Sequence, residues 1–500
     1  MSRDSHPFAL LAISSALLAL TVFLGFIVKR ADFPSLLGAY TLFFALYVYV
    51  LLFRHWTVRQ QYWFLGLGIA LRVILLFSLP NLSDDFYRFL WDGRLAAHGI
   101  HPFGHPPSYF IENQISVPGI TPELFQKLNS PEYHTVYPPV CQAVFWVAAK
   151  LFPESISGGV FILKLFLFGC ELGTIWLLLQ GLPNPDPSNP TPDPKGEGRH
   201  EGHRDNSTSP LASPLPFRGG VGGGVGGAGG GVRGASLAYA LNPLILLEIV
   251  GNGHFEGAML CFLLAGVYAL ARRRVAMAAV WWALATASKL VPLLFLLIVI
   301  VWLGWRRGLQ FVVLFAGICC LLFLPLLDMQ VMRNMADSLN LYFRQFEFNA
   351  SIYYVLKWIG MAVAPPKMDV ARTLGPVLAA VVVLGVAGLA FYKRSGNTNR
   401  NSSGYFFPDR LVFALMLYLA LATTVHPWYV APLFGLSLLT TRQFPFGWTA
   451  VAILSYSHYA GGGFQEHFGW IAAEYVLVFG ALGWDWLEVF WGGRFRGLEV

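Results

Sequence analysis

The segment NLSDDFYRFLWDGRLAAHGIHPF, residues 81–103, places ionisable side chains directly after an apolar run with the length of a membrane span. Asp84 and Asp85 are adjacent, and Arg88 and Asp92 follow at helical spacing. Such groups cost about 2.5–3.5 kcal/mol each at the centre of a membrane helix, so those near a membrane are candidates for function. A carboxylate beside lipid is tuned by desolvation and by a neighbouring arginine. The lead carboxylates could therefore act as a general base at the membrane face.

The same spacing also fits a purely structural role. Ser83 can cap a helix that begins at Asp84, and acidic residues suit a helix N-terminus. In a continued helix, Asp84–Arg88 and Arg88–Asp92 are both i, i+4 pairs, which would form a ladder of salt bridges. The sequence leaves both interpretations open.

Polar side chains also interrupt the ends of four later apolar runs. With Arg88 and Asp92, the candidate substrate-binding residues are Asn252, His254, Glu256, Lys289, Arg344 and His426. Each has a simpler explanation, because hairpin tips often carry polar residues, a lysine can extend to the interface, and a lone histidine is more often structural. The functional explanation is one site that combines acids, cations and an imidazole.

The composition indicates the environment of the chain. Of the 500 residues, 56% are hydrophobic and only 12% are charged, whereas soluble domains carry about 25% charged residues. The apolar runs have the length of helices rather than of the roughly ten-residue strands of an outer-membrane barrel. We therefore predict an all-α polytopic membrane protein.

The charge and the cysteines limit the possible partners. The net charge of +7 is expected to reflect the Lys/Arg excess of cytoplasmic loops, so no nucleic-acid partner is predicted. The five cysteines show no metal-binding spacing, and neither a disulfide nor a zinc site is predicted.

About fourteen apolar segments are long enough to be spans or short helices within a bundle. They are roughly 8–28, 36–53, 62–80, 159–180, 236–250, 255–271, 275–288, 291–304, 309–327, 370–392, 411–425, 428–441, 446–460 and 470–490. The basic residues of the later loops lie together on the cytoplasmic side only if 139–152 and 351–364 are short helices on the outer membrane surface. Lys29 and Arg30 then fall outside, against this bias.

Three regions follow from this pattern. Residues 1–180 carry the N-terminal transmembrane helices and a large extracytoplasmic loop at 81–158, and residues 235–500 carry the C-terminal transmembrane helices. Residues 181–234 are rich in Pro and Gly and cannot bury a core, so a disordered cytoplasmic linker is predicted. All the polar clusters fall on the outer side.

Taken in order, the motifs resemble those of the GT-C superfamily of integral-membrane glycosyltransferases. They are SDDFYRFLWDGRLAAHGIHPF, VYPPV, NPLILLEIVGNGHFEGAML, ASKLVPL and HPWY, and they extend over residues 81–429. They are most similar to those of bacterial polyprenyl-phosphate-mannose-dependent mannosyltransferases. The resemblance implies a GT-C-like bundle of about 12–14 transmembrane helices, with short surface helices in the large first extracytoplasmic loop.

The resemblance also implies residue roles. In that family the first outer loop carries an acidic motif whose lead carboxylate is the catalytic base or binds a metal, and here Asp84 matches it, with Asp85 second. The adjacent DD in place of the DxD of eukaryotic relatives leaves a divalent metal open and makes no cofactor certain. Tyr137, Pro138 and Pro139 match a family motif that precedes a short helix on the membrane surface.

The implied chemistry is transfer of a sugar, with mannose as the family's sugar, from a polyprenyl-phosphate donor to a lipid or glycan acceptor. Asp84 would deprotonate the acceptor hydroxyl, which attacks and inverts the anomeric carbon. The departing phosphate needs polar donors and cations, for which Lys289, Arg344 and His426 are candidates. The implied location is a bacterial-type inner membrane, among membrane lipids, with the active site facing outside the cytoplasm.

Two other functions remain open. A multi-span secondary transporter or lipid-linked-sugar flippase would hold its charges near the bilayer midplane, commonly within inverted repeats. The sequence shows no convincing repeat, and its charges lie at the ends of spans. A non-catalytic membrane scaffold would tolerate Asp84→Asn without loss of function.

Overall fold

The structure is a computed structural model that describes residues 7–52, 56–182, 234–326, 328–365, 368–392 and 406–495. Within these ranges every named element is a helix, and one isolated bridge joins Phe348 to Thr424. The predicted all-α class is therefore confirmed. The predicted linker at 181–234 lies almost entirely outside the described residues.

The N-terminal half of the chain supplies the first group of helices and the large loop. The α-helices are α1 Pro7–Val22, α2 Phe33–Leu52, α3 Val58–Leu75, α4 Asp85–Ala97, α5 Pro107–Glu112, α6 Pro122–Phe125, α7 Pro139–Leu151, α8 Ile156–Gln180, α9 Gly234–Leu241 and α10 Pro243–Ile245. Two π-helical segments, Phe23–Ile27 and Leu246–Gly251, continue α1 and α10.

The C-terminal half follows the same pattern of helices with irregular ends. Its α-helices are α11 Glu256–Ala271, α12 Val275–Ser288, α13 Leu296–Leu303, α14 Trp305–Phe323, α15 Met329–Gln345, α16 Ile352–Val363, α17 Val370–Phe391, α18 Phe406–Leu421, α19 Val430–Ser437, α20 Phe444–Val451 and α21 Phe468–Phe495. The 3₁₀ segments are Val291–Phe295, Leu324–Leu326, Pro427–Tyr429 and Ala452–Gly462.

Membrane-length helices recur along the described chain. Five are long and apolar enough to cross a bilayer: Phe8–Ile27, Phe33–Leu52, Ile156–Gln180, Trp305–Phe323 and Val370–Phe391. Gly234–Leu241 and Pro243–Gly251 meet at 49° and make a sixth if the bent pair is one span. Several other predicted spans correspond to shorter apolar helices, such as Glu256–Ala271 and Val275–Ser288. The number of about 12–14 spans stays a prediction.

The two segments excluded as spans are short helices. Helices α7 and α16 contain 13 and 12 residues, which at 1.5 Å per residue gives about 20 Å, less than the roughly 30 Å of a hydrocarbon core. Helix α7 packs against α4 and α8. The approach to α4 is close, because a Cβ added at Gly93 would lie 2.2 Å from the carbonyl oxygen of Phe145.

The segment 76–84, which carries the lead carboxylates into the loop, is tied to neighbouring helices. Lys164 of α8 is buried and donates to the carbonyl oxygen of Leu75 at 3.0 Å, and to the carbonyl and hydroxyl oxygens of Ser78 at 2.6 and 2.9 Å. The Asn81 amide donates to two carbonyls at the end of the first span. These bonds fix where the chain leaves the bundle.

A buried ion pair joins three helices in the bundle interior. Arg72 of α3 lies 2.9 Å from Glu171 of α8, and both side chains are fully buried. The hydroxyl of Tyr239 in α9 donates to the other Glu171 oxygen at 2.6 Å. Because an unpaired buried charge is costly, these contacts keep the three helices in register.

Candidate active site

The acidic segment begins a helix, but one residue later than predicted. Helix α4 begins at Asp85, whose N–H donates to Ser83 Oγ at 3.3 Å, and Asp84 is the N-cap residue. The predicted pair between Asp84 and Arg88 is wrong. Asp84 Oδ2 instead lies 2.5 Å from Nη2 of Arg30, which follows the first span. Tertiary packing therefore overrides the i, i+4 spacing.

The predicted pair between Arg88 and Asp92 is confirmed, at 2.8 Å. Both side chains are buried. Arg88 also donates to the carbonyl oxygens of Ser130 and Tyr133, at 3.2 and 2.9 Å, and Gln142 of α7 donates to Asp92 at 3.1 Å. These contacts support a structural role for the pair, which joins α4 to the outer loop and to α7.

The two lead carboxylates have different surroundings. Asp85 Oδ1 accepts from Asn129 at 2.8 Å, and Asp85 Oδ2 accepts from the Tyr137 hydroxyl at 3.4 Å. Burial and the nearby Asp85 charge raise the pKa of the Tyr137 phenol, which therefore stays protonated. Asp84 has a side chain that is 39% exposed, and its Oδ1 accepts no hydrogen bond from the described part of the chain. Of the two, Asp84 is thus the carboxylate with an oxygen that is without a donor from the described chain.

The second motif forms a buried polar cluster after α10. Glu248 Oε1 accepts from the Tyr456 hydroxyl at 2.8 Å, and Glu248 Oε2 lies 3.2 Å from His254 Nδ1. The same nitrogen lies 2.9 Å from the carbonyl oxygen of Glu248. Since both neighbours are acceptors, Nδ1 carries hydrogen. In neutral His254, Nε2 then offers a lone pair.

Asn252 connects this cluster to the acidic segment. Its Oδ1 accepts from the N–H of Leu82 at 3.3 Å, and its Nδ2 donates to Glu248 Oε2 at 3.3 Å. Two motifs that are distant along the chain are therefore held together by one amide.

Lys289 lies at the end of α12 and pairs with the first residue of α11. Its Nζ is 2.9 Å from Glu256 Oε1, and the lysine side chain is 23% exposed. Lys289 Nζ also lies 5.4 Å from the centre of the Tyr137 ring and within electrostatic range of Asp85. Among buried atoms, Glu256 Oε2 and His254 Nε2 have no hydrogen-bond partner in the described residues. Other described side chains, such as Trp91 and Thr174, also have buried atoms without a partner, so the position of these two atoms in the polar cluster is what makes them candidates to contact a ligand.

An aromatic stack forms another wall of the site. The Trp428 ring lies between the rings of His254 and His426, at centroid distances of 3.7 and 4.3 Å, and Phe348 lies 4.4 Å from His426. Burial lowers the pKa of His426 to about 3, although the Asp85 charge opposes the shift. His426 is therefore neutral near pH 7, so of the two kinds of group expected to contact the phosphate, cations and polar donors, His426 fits the neutral polar donor.

Arg344 belongs to α15, but its side chain lies outside the described residues. Its predicted contact with a phosphate therefore stays a prediction.

The structure offers no observation that supports a metal at the two lead carboxylates. Across the described ranges no group of three or more His, Cys, Asp or Glu side chains could hold an ion. Asp84 already binds Arg30, and both Asp85 oxygens already accept hydrogen bonds. We derive no step through a metal.

Sequence reasoning missed several groups that contact the candidate site residues or the motif around Asn252, and two of them concern charged side chains. Arg30 binds Asp84, and Tyr456 binds Glu248. One signal for Arg30 was present in the sequence: the predicted topology places it on the outer side of the membrane, whereas basic residues are usually found on the cytoplasmic side. Nothing in the sequence indicated a role for Tyr456, because it lies in the apolar run 446–460, which was predicted to be a membrane span.

The comparison with protein families gives one match. Residues 227–306 match the MptA_B family, described as alpha-(1->6)-mannopyranosyltransferase, N-terminal domain. This range contains Glu248, Asn252, His254, Glu256 and Lys289. No curated protein and no solved structure matches the chain. Together with the apolar helices, the family match supports a membrane glycosyltransferase.

Proposed function

We propose that the protein transfers mannose from a polyprenyl-phosphate donor to a lipid or glycan acceptor, with inversion and with Asp84 as the general base. The observation that carries this proposal is the position of Asp84. One of its oxygens binds Arg30, and the other faces no donor from the described chain. The adjacent Asp85 lies within electrostatic range of Lys289. A base near a cation is what glycosyl transfer from a phosphate requires.

Asp84 suits the role of base better than Asp85. A general base must have an oxygen within hydrogen-bond reach of the hydroxyl that it deprotonates. Both Asp85 oxygens accept hydrogen bonds from the outer loop, from Asn129 and Tyr137. Asp85 therefore orders the loop beside Asp84.

The second motif suits a ligand rich in hydroxyl groups. Glu256 Oε2 and, in neutral His254, Nε2 are buried acceptors without partners in the described residues, and sugar hydroxyls are donors. Lys289 is a partly exposed cation beside them. We assign the two acceptors to the donor sugar and Lys289 to its phosphate.

The reaction is balanced without a further reactant. Asp84 takes the proton of the acceptor hydroxyl, and the hydroxyl oxygen forms a bond to the anomeric carbon. The bond from that carbon to the phosphate oxygen breaks, and polyprenyl phosphate leaves with the electron pair. Lys289 stabilises the charge that develops on this phosphate.

The lipid carrier of the donor and the identity of its sugar are proposed on two separate grounds. A site at the ends of apolar helices is accessible to a lipid-borne substrate, which favours a polyprenyl phosphate over a soluble nucleotide sugar. Mannose comes from the description of the matched family, which also names an α-1,6 linkage. The excess of basic residues at the opposite helix ends favours a site that faces outside the cytoplasm of a bacterial-type inner membrane.

The transporter or flippase alternative is not favoured. The match is to a mannosyltransferase family. A transporter could use buried charged residues such as Arg72 and Glu171 to bind its substrate or coupling ion. Here both side chains are fully buried and are paired with protein groups.

The test is transfer by the purified chain in lipid nanodiscs. Radiolabelled polyprenyl-phosphate mannose is supplied with a mannoside acceptor, and polyprenyl-phosphate glucose and GDP-mannose serve as controls. Transfer from the lipid-linked mannose alone is expected. Transfer only from GDP-mannose would contradict the lipid donor. A parallel assay in sealed proteoliposomes covers the alternative, and movement of label across their membrane without transfer would favour the flippase.

A further inference from the structure

Arg30 lies where a basic residue is not expected. It occupies the turn between α1 and α2, at the end of the bundle that carries Asp84. Under the orientation proposed above this turn faces outside, where arginine is disfavoured by the positive-inside rule. A specific partner at that end of the bundle would explain the residue.

The contacts of Arg30 identify that partner. Its Nη2 lies 2.5 Å from Asp84 Oδ2, and its guanidinium lies 4.2 Å above the centre of the Tyr459 ring. The Arg30 side chain is 28% exposed, so the pair is partly shielded from water. An arginine held on an aromatic face has little freedom, which makes its other contact directional.

We propose that Arg30 is a positioning residue for the base, and this inference rests on the proposed function. The guanidinium holds Asp84 Oδ2 and so directs Oδ1 toward the acceptor hydroxyl. The turn between the first two helices is then part of the active site.

Few other groups could perform this task for Asp84. The described titratable groups that interact with Asp84 are Tyr87 of α4 and Tyr459 of the segment Ala452–Gly462. Asp85 is its neighbour along the chain and carries the same charge. Neither phenol carries a positive charge. Of the described groups that contact Asp84, Arg30 is the one that carries a positive charge and can compensate the charge of the carboxylate.

The experiment compares Arg30→Gln and Arg30→Lys with Lys29→Gln, an exposed neighbour that serves as the matched control. Transfer kinetics are measured from pH 5 to 9 in nanodiscs. Arg30→Gln is expected to lower kcat by roughly 100-fold, as for a misplaced catalytic group, with the donor KM within about twofold of wild type.

The pH profile separates positioning from folding. A carboxylate that loses a neighbouring cation keeps its proton more readily, so the acid side of the profile should move to higher pH in Arg30→Gln. Arg30→Lys should restore part of the rate, and Lys29→Gln should match wild type. A higher donor KM with an unshifted pH profile would overturn the proposal and indicate direct binding of the phosphate.

A second readout does not depend on activity. Dicyclohexylcarbodiimide reacts with protonated carboxyls, and mass spectrometry locates the label. Labelling of Asp84 at pH 6 is expected to rise several-fold in Arg30→Gln only. If this rise occurs but wild type transfers no sugar, the pairing stands and the proposed function fails. If wild type transfers sugar and Arg30→Gln equals it, the proposed function stands and the role of Arg30 is overturned.

Discussion

The side-chain oxygen of Asn252 accepts a hydrogen bond from the backbone N–H of Leu82 at 3.3 Å, across 170 residues of chain. Leu82 lies two residues before Asp84, and Asn252 lies two residues before His254. The proposed base and the proposed sugar-binding acceptors are therefore positioned against each other by one amide.

Replacing Asn252 should loosen this link. Asn252→Leu leaves the buried N–H of Leu82 without its acceptor, which costs about 1–3 kcal/mol. We expect a lower melting temperature in detergent and a rate of transfer reduced by roughly tenfold or more. Asn252→Gln keeps both the amide acceptor and the amide donor: its rate should exceed that of Asn252→Leu, and the reverse order would contradict the link.

The pair Lys289–Glu256 offers a test of what the lysine does. Lys289→Gln should abolish most transfer, both because the phosphate loses a cation and because the buried carboxylate loses its partner. The double variant Lys289→Gln, Glu256→Gln removes the unpaired charge. If Lys289 binds the phosphate, the double variant should recover thermal stability but stay at least about 100-fold slower than wild type.

The comparison for that experiment is Glu256→Gln alone, which keeps the cation but alters the proposed sugar contact. The effect of Lys289 is therefore the further loss of rate between Glu256→Gln and the double variant. Recovery of the wild-type rate in the double variant would show that Lys289 only neutralises Glu256, and Lys289 would then leave the list of phosphate-binding residues.

The helix pair that supports the acidic segment depends on one glycine. An added Cβ at Gly93 would lie 2.2 Å from the Phe145 carbonyl oxygen, so Gly93→Ala must push α4 away from α7. We expect a loss of about 1–3 kcal/mol of stability, visible as a lower melting temperature. Gly169→Ala in α8 is the control, because its Cβ would meet no atom within 4 Å. Equal melting temperatures for the two variants would contradict the close packing.

His426 should make stability depend on pH. Burial lowers its pKa in the folded protein to about 3, whereas an unperturbed histidine has a pKa of about 6.5. The unfolded chain therefore takes up a proton first, and the folded state loses stability as pH falls below about 6.5. The melting temperature should fall between pH 7 and pH 5, and less so in His426→Asn. An identical fall in both proteins would contradict the assignment of a neutral buried imidazole.

Much of the architecture could be predicted because its signals are local. Apolar runs of helical length predict the all-α class, and polar residues at the ends of those runs mark the groups around Asp84, Glu256 and Lys289. The short lengths of α7 and α16 fit the exclusion of both as spans. These features depend on the chain within a few turns of helix.

The partners of the charged residues could not be predicted in the same way. Helical spacing favoured Asp84–Arg88, yet Asp84 binds Arg30, 54 residues away. Arg72 and Glu171 are 99 residues apart and had no local signal. Such pairs depend on how helices pack, and a single sequence does not contain that information in any local pattern.

The most direct test of the central claim is the rate of mannose transfer by wild type, Asp84→Asn and Asp85→Asn in the same nanodiscs. If Asp84 is the base, Asp84→Asn should lose at least about 100-fold while its melting temperature stays near that of wild type. Asp85→Asn should lose less activity and more stability, because it orders the outer loop. Equal transfer by wild type and Asp84→Asn would contradict the account.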